Sequence, residues 1–159
     1  MLKDLGNKER LGMTNSRIDF YKISPEAVKA MMSLETFVNN CGLDKALLEL
    51  IKLRVSQING CVFCVDMHCS DAIKAGESQR RLNAVAVWHE APFFSESERA
   101  ALAWAEAVTL LSETHAPDEL YQDMLDHFSE KEVVDLTVAI VTINGWNRLA
   151  VSFRKLPST

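Results

Sequence analysis

Glycine, proline and basic charge are all scarce in this chain of 159 residues, and each shortage excludes something. Six glycines and four prolines leave little room for long loops or linkers, and no tandem repeat or low-complexity tract interrupts the sequence. Lys and Arg number 17 against 22 Asp and Glu, a net charge of −5. A nucleic-acid partner would call for a basic face, so none is expected. No stretch is apolar enough to cross a bilayer: the best of them, residues 133–143, is broken by Asp135, Thr137 and Thr142. The charged first 17 residues carry no apolar core of the kind a secretory signal needs. The sequence therefore predicts no membrane partner and a cytoplasmic location. No run alternates polar and apolar residues as a half-buried strand would.

What remains is ordinary globular composition, 48% hydrophobic and 25% charged, at a length that suits one domain with a real core. The pattern predicts an all-α bundle of about six to seven helices over residues 23–159, preceded by an irregular or extended arm over residues 1–22. Ser24 and Pro25 start a helix that runs to about Asn40, and Gly42 ends it. Asp44 caps the next, over residues 44–58. Its apolar residues Leu47, Leu48, Leu50, Ile51, Val55 and Ile58 cannot share one narrow stripe, so it is expected to be buried. Asn59-Gly60 breaks it.

A third helix starts near Cys61 and stops before Gly76. A short one follows over residues 77–89, up to the interruption at Pro92. Ser95 and Glu98 form a capping box ahead of a long amphipathic helix whose apolar positions run through Ala101, Leu102, Ala105, Val108 and Leu111. Pro117 opens a helix to about Phe128. Ser129 and Glu132 open the last, in which Gly145 marks either a weak point or a close helix contact.

The chemistry is concentrated in Cys61-Val62-Phe63-Cys64-Val65-Asp66-Met67-His68. In a reducing compartment a C-x-x-C pair is more often catalytic or metal-binding than structural. Near a helix start both thiols meet unpaired N–H groups and a partial positive charge, which favour the reactive thiolate. Positions three apart lie on one face, so a Cys61–Cys64 disulfide needs little backbone movement. His68 follows Cys64 by one turn and lies about 10 Å along the axis from Cys61. The helix dipole alone favours Cys61 as the activated thiol; the histidine favours Cys64. Glu49, among apolar neighbours in Leu47-Leu48-Glu49-Leu50-Ile51, needs a partner, and His68 is the natural one. Such a pair orients the imidazole to take a thiol proton.

Glu49, eleven residues, Cys61-x-x-Cys64, three residues, His68: this pattern resembles that of the AhpD-like alkylhydroperoxidases of the carboxymuconolactone decarboxylase superfamily. Ser56-Gln57-Ile58-Asn59-Gly60-Cys61-Val62-Phe63-Cys64 is similar to the family's segment around its paired cysteines. Ala72, Gly76 and the later Asn144-Gly145-Trp146-Asn147-Arg148 also fit, so the resemblance spans residues 20–155. It implies a helical fold assembling into a homo-oligomer, trimer or hexamer, and a cofactor-free peroxidase cycle. By the resemblance, Cys64 is the peroxidatic cysteine, Cys61 resolves its sulfenic acid as a disulfide, and Glu49 and His68 relay protons. The implied partners are a hydroperoxide substrate and a dithiol electron donor, protein or small molecule. Phe63 departs from the best-known members, which carry histidine directly before the second cysteine.

Three other functions fit parts of the pattern. A non-catalytic redox sensor would use the same disulfide. A zinc-binding module would use Cys61, Cys64 and His68 with Cys69 or Glu49, although one helix wraps an ion poorly. A lactone decarboxylase is known on related chains that lack the paired cysteines. Cys69, rotated about 100° from His68, reads as a packing residue. Cys41 has no motif around it, and His89, His115 and His127 show no ligand spacing. Phe63, Trp88, Trp104 and Trp146 read as core or interface residues, and Phe63 and Trp146 also as possible pocket walls. The apolar excess of the helix before the motif argues for an oligomer.

Overall fold

A computed structural model describes residues 16–158. Among them it has nine α-helices, one 3-10 turn and no strand. In chain order the helices are α1 (Phe20–Ile23), α2 (Pro25–Asn40), α3 (Lys45–Ile58), α4 (Val62–Lys74), α5 (Gln79–Ala84), α6 (Glu96–Thr109), α7 (Leu111–Thr114), α8 (Asp118–His127) and α9 (Glu130–Ser152). The seven helices expected from caps and periodicity are all present. The two additional ones, α1 and α7, are single turns of four residues each, too short for a periodic signal.

Local chemistry sets most boundaries. Asp44 accepts from the backbone of Ala46 and Leu47 at the start of α3. Capping boxes at Ser95–Glu98 and Ser129–Glu132 open α6 and α9. Ser24 is the N-cap of α2, but its side chain makes no cap bond; its backbone N–H closes α1 onto Phe20 instead.

Three expectations need correction. The long amphipathic helix stops at Thr109, because Leu110 leaves helical geometry (φ −97°, ψ 38°). Leu111, expected on the apolar stripe, is 52% exposed. Residues 77–89 form α5 and then the 3-10 turn Val85–Val87 rather than one helix. There Arg99 of α6 takes up the carbonyls of Trp88, His89 and Ala91, and the Trp88 indole N–H bonds Glu106 at 2.8 Å, so side chains of α6 hold this segment in place of further helical turns. Of the N-terminal arm, residues 1–15 lie outside the described residues. Residues 16–19 are irregular, with a bend at Arg17, and lead into α1. The Arg17 backbone and guanidinium bond the Phe153 and Ser152 carbonyls, so this segment lies across the end of α9 in its own chain.

Helix α3 is the hub, packed against α4, α6 and α9. Its buried residues include Leu47, Leu48, Leu50, Ile51, Leu53 and Val55, on several faces, as expected. One core cluster joins Leu47, Ile51 and Val55 to α6, α8 and α9; a second joins Leu50 and Leu53 to α4, α5 and Leu102. The helix whose apolar excess argued for an oligomer is thus covered within one chain. Gly145 does mark a close contact: a Cβ there would sit 2.7 Å from Met31 Cε of α2. Among the described residues no helix is long and apolar enough to cross a membrane.

Candidate functional site

The turn between α3 and α4 builds the site. Gly60 has φ +66°, a left-handed conformation that glycine adopts without a Cβ clash. The Cys61 N–H bonds the Ser56 carbonyl (3.0 Å) and the Gly60 N–H bonds that of Gln57 (3.2 Å), a Schellman pair that ends α3. The next residue, Cys61, is immediately the N-cap of α4. Its sulfur accepts the Cys64 N–H at 3.3 Å. Cys61 and Cys64 are joined as a disulfide with their Cα atoms 5.4 Å apart, and both are buried.

The Asn144-Gly145-Trp146-Asn147-Arg148 stretch holds this turn from the other side. Asn59 Nδ2 donates to Asn144 Oδ1 and Asn147 Oδ1 (3.0 and 2.9 Å), and Asn147 Nδ2 donates to Ser56 Oγ (3.1 Å). Arg148 in turn bonds the Asn144 side chain at 2.8 Å. Buried amides in such a network leave the turn little freedom, because any shift strands polar groups away from water.

His68 lies one turn past Cys64. Its Nδ1 is 2.8 Å from Glu49 Oε2. A carboxylate can only accept, so Nδ1 donates to it; in the neutral imidazole Nε2 then carries the lone pair. Nε2 is buried and has no protein partner among the described residues. Behind Glu49, the ammonium of Lys52, 3% exposed, bonds Glu35 at 2.7 Å and lies 3.9 Å from Glu49 Oε1. The Trp146 indole N–H closes the row on Glu35 at 3.2 Å. Cys64, Glu49 and His68 face one cavity of about 300 Å³, whose wall includes Phe63 and Trp146.

The constellation read from the sequence thus assembles: α3 and α4 bring Glu49 to His68 on the face that carries Cys64. Sequence reasoning missed Glu35, Lys52 and Lys155, which line the same cavity from α2, α3 and the segment after α9. No motif spacing connects them; the isolated lysine in the apolar run of α3 was the one available sign. Cys69 packs at the edge of the second core cluster, and burial together with the Asp66 carboxylate pushes its thiol up. Cys41 caps α2, with its sulfur on the Val38 carbonyl. His89, His115 and His127 are exposed. Among the described residues no three Cys, His, Asp or Glu side chains converge as a metal site.

A family model, the carboxymuconolactone decarboxylase family, matches residues 25–107. The uncharacterized protein YdfG of Bacillus subtilis is 43% identical over 138 residues, which cover 87% of this chain and 94% of that one. A crystal structure of a protein of unknown function from Agrobacterium tumefaciens, described with the name AhpD, is 48% identical with a TM-score of 0.90; the match covers 91% of this chain and 99% of the other. The alkyl hydroperoxide reductase AhpD of Coxiella burnetii is 46% identical over 48 residues, 30% of this chain and 27% of that protein. By fold, by site segment and by these matches, the chain belongs to the carboxymuconolactone decarboxylase family and to its AhpD-like branch.

Proposed function

We propose that the chain is a thiol-dependent reductase of organic hydroperoxides that needs no cofactor. The observation that carries this reading is the convergence of Cys64, one half of a C-x-x-C disulfide, with a hydrogen-bonded Glu49–His68 pair on one cavity. In the reduced protein His68 Nε2 takes the Cys64 thiol proton. The Cys64 thiolate attacks the terminal oxygen of the hydroperoxide, an S–O bond forms as the O–O bond breaks, and the alkoxide leaves with the proton from His68 as an alcohol. The Cys61 thiol then attacks the Cys64 sulfenic acid, water leaves and the disulfide closes. A dithiol donor supplies two electrons and two protons to reopen it by thiol–disulfide exchange. Glu49 stabilises the imidazolium between these steps. The homo-oligomer implied by the family resemblance and the cytoplasmic setting expected from the sequence belong to this same reading.

The test is steady-state consumption of cumene hydroperoxide with a dithiol donor. Turnover is expected for the native protein and is abolished in Cys64→Ser. Full turnover by Cys64→Ser would overturn the assignment. Phe63 offers no proton-transferring group beside Cys64, and that favours a second reading, a redox sensor on the same site. It predicts stoichiometric disulfide formation with peroxide but negligible cycling.

A further inference from the structure

We infer that the cavity beside Cys64 selects organic hydroperoxides that carry a carboxylate, with Lys155 as the group that binds it. This deepens the reading above and rests on it for the reacting end of the substrate. Helix α9 ends in a Schellman turn: the Arg154 N–H bonds Val151 and the Lys155 N–H bonds Ala150 (3.2 and 2.8 Å). The turn is closed by Arg154 at φ +52°, where glycine is usual. It brings Lys155 to the cavity wall. There its ammonium sits 4.0 Å from the ring centre of Tyr21, 4.6 Å from Phe63 and 5.8 Å from Phe20.

Charge pairing separates this lysine from the other ionic groups of the cavity. Glu35 is bonded to Lys52, Glu49 to His68, and Asp71 to Lys74 at 2.9 Å. Among the described residues no carboxylate pairs with Lys155, whose charge meets only the faces of rings. Cation–π contact fixes the position of an ammonium yet leaves its N–H donors available to an anion. The rings also exclude water on one side, which strengthens an ion pair formed there. A ligand spanning the cavity would place an apolar body against Phe63 and Trp146, a carboxylate on Lys155 and a peroxide at Cys64. Phe63, the departure from the best-known family members, is then one of the rings, with Tyr21 and Phe20, that hold the lysine in place.

The probe pair is the para-carboxylate of cumyl alcohol and its methyl ester, unreactive product analogues of which only the first is charged. Binding to the oxidised protein is measured by titration calorimetry. The acid is expected to bind about tenfold more tightly than the ester, the scale of a partly exposed charge-assisted bond. Lys155→Met should bring the ratio to about one, and Lys155→Arg should keep it. Equal binding of acid and ester by the native protein, or a ratio that Lys155→Met leaves alone, would overturn the inference. The corresponding hydroperoxide acid and ester should show the same ratio in kcat/KM. Turnover of neither probe, with selective binding of the acid intact, would count against the peroxidase reading and not against the carboxylate site.

Discussion

Glu49→Gln isolates the charge of the proton-relay pair from its geometry. Glutamine keeps the length and an oxygen that can accept the His68 Nδ1 proton, but it removes the negative charge 2.8 Å from the ring. The fold should tolerate the change. Glu49 is partly exposed, with 18% of its side chain accessible, and the buried Lys52 keeps its shorter bond to Glu35 at 2.7 Å, so no ammonium is stranded. A hydrogen bond to a charged group contributes about 1.5–3 kcal/mol, and a neutral one about 0.5–1.5 kcal/mol. The difference, about 1–1.5 kcal/mol, is the stabilisation lost when His68 becomes an imidazolium. At about 1.4 kcal/mol per factor of ten, the rate constant for reaction of the reduced protein with hydroperoxide should fall roughly tenfold. The assay is a single-turnover mix of reduced protein with excess cumene hydroperoxide, followed by loss of free thiol, with the thermal midpoint measured in parallel. An unchanged rate constant would refute the relay. A lowered midpoint that accounts for the loss by unfolding would refute the claim that the charge acts on the chemistry.

Two further outcomes test the scaffold around the site. Asn147→Ala strands the Ser56 hydroxyl and removes one of two acceptors from Asn59, so it should cost about 1–3 kcal/mol in denaturant unfolding, far more than an exposed Asn→Ala in a helix; a cost within ±0.5 kcal/mol would show that the network does not hold the turn. Cys69 has its thiol pushed up by burial and by Asp66, so in the dithiol-free oxidised protein its alkylation should begin only above the pH at which an ordinary cysteine reacts, and Cys69→Ala should leave peroxide-driven Cys61–Cys64 oxidation intact. Rapid alkylation of Cys69 at neutral pH would contradict the first expectation.

Which parts of the molecule were legible in advance follows from the range of the forces involved. Helix starts at Asp44, Ser95 and Ser129 depend on hydrogen bonds within four residues, so the sequence alone determined them. The same holds for the Asn59-Gly60 break and for the shared face of Cys64 and His68, while Asn144 and Asn147, which hold the turn from far along the chain, follow from packing. Glu49 was legible for a different reason: a carboxylate in an apolar helix requires a partner, and the histidine one turn past the cysteines was the nearest candidate chemically. The break at Leu110 and the turn at Phe20–Ile23 were not legible, because single turns of four residues carry no periodic signal and contacts beyond one helical turn flank them. Thr114 bonds the Ala107 carbonyl, and Arg17 bonds carbonyls at the end of α9. Only the tertiary structure brought Glu35, Lys52 and Lys155 to the cavity, from three segments with no common spacing. The sequence by itself determined a helical chain carrying a paired thiol and a proton carrier. Packing decided what surrounds them, since burial and charge pairing are properties of residues that meet only after the helices close on α3.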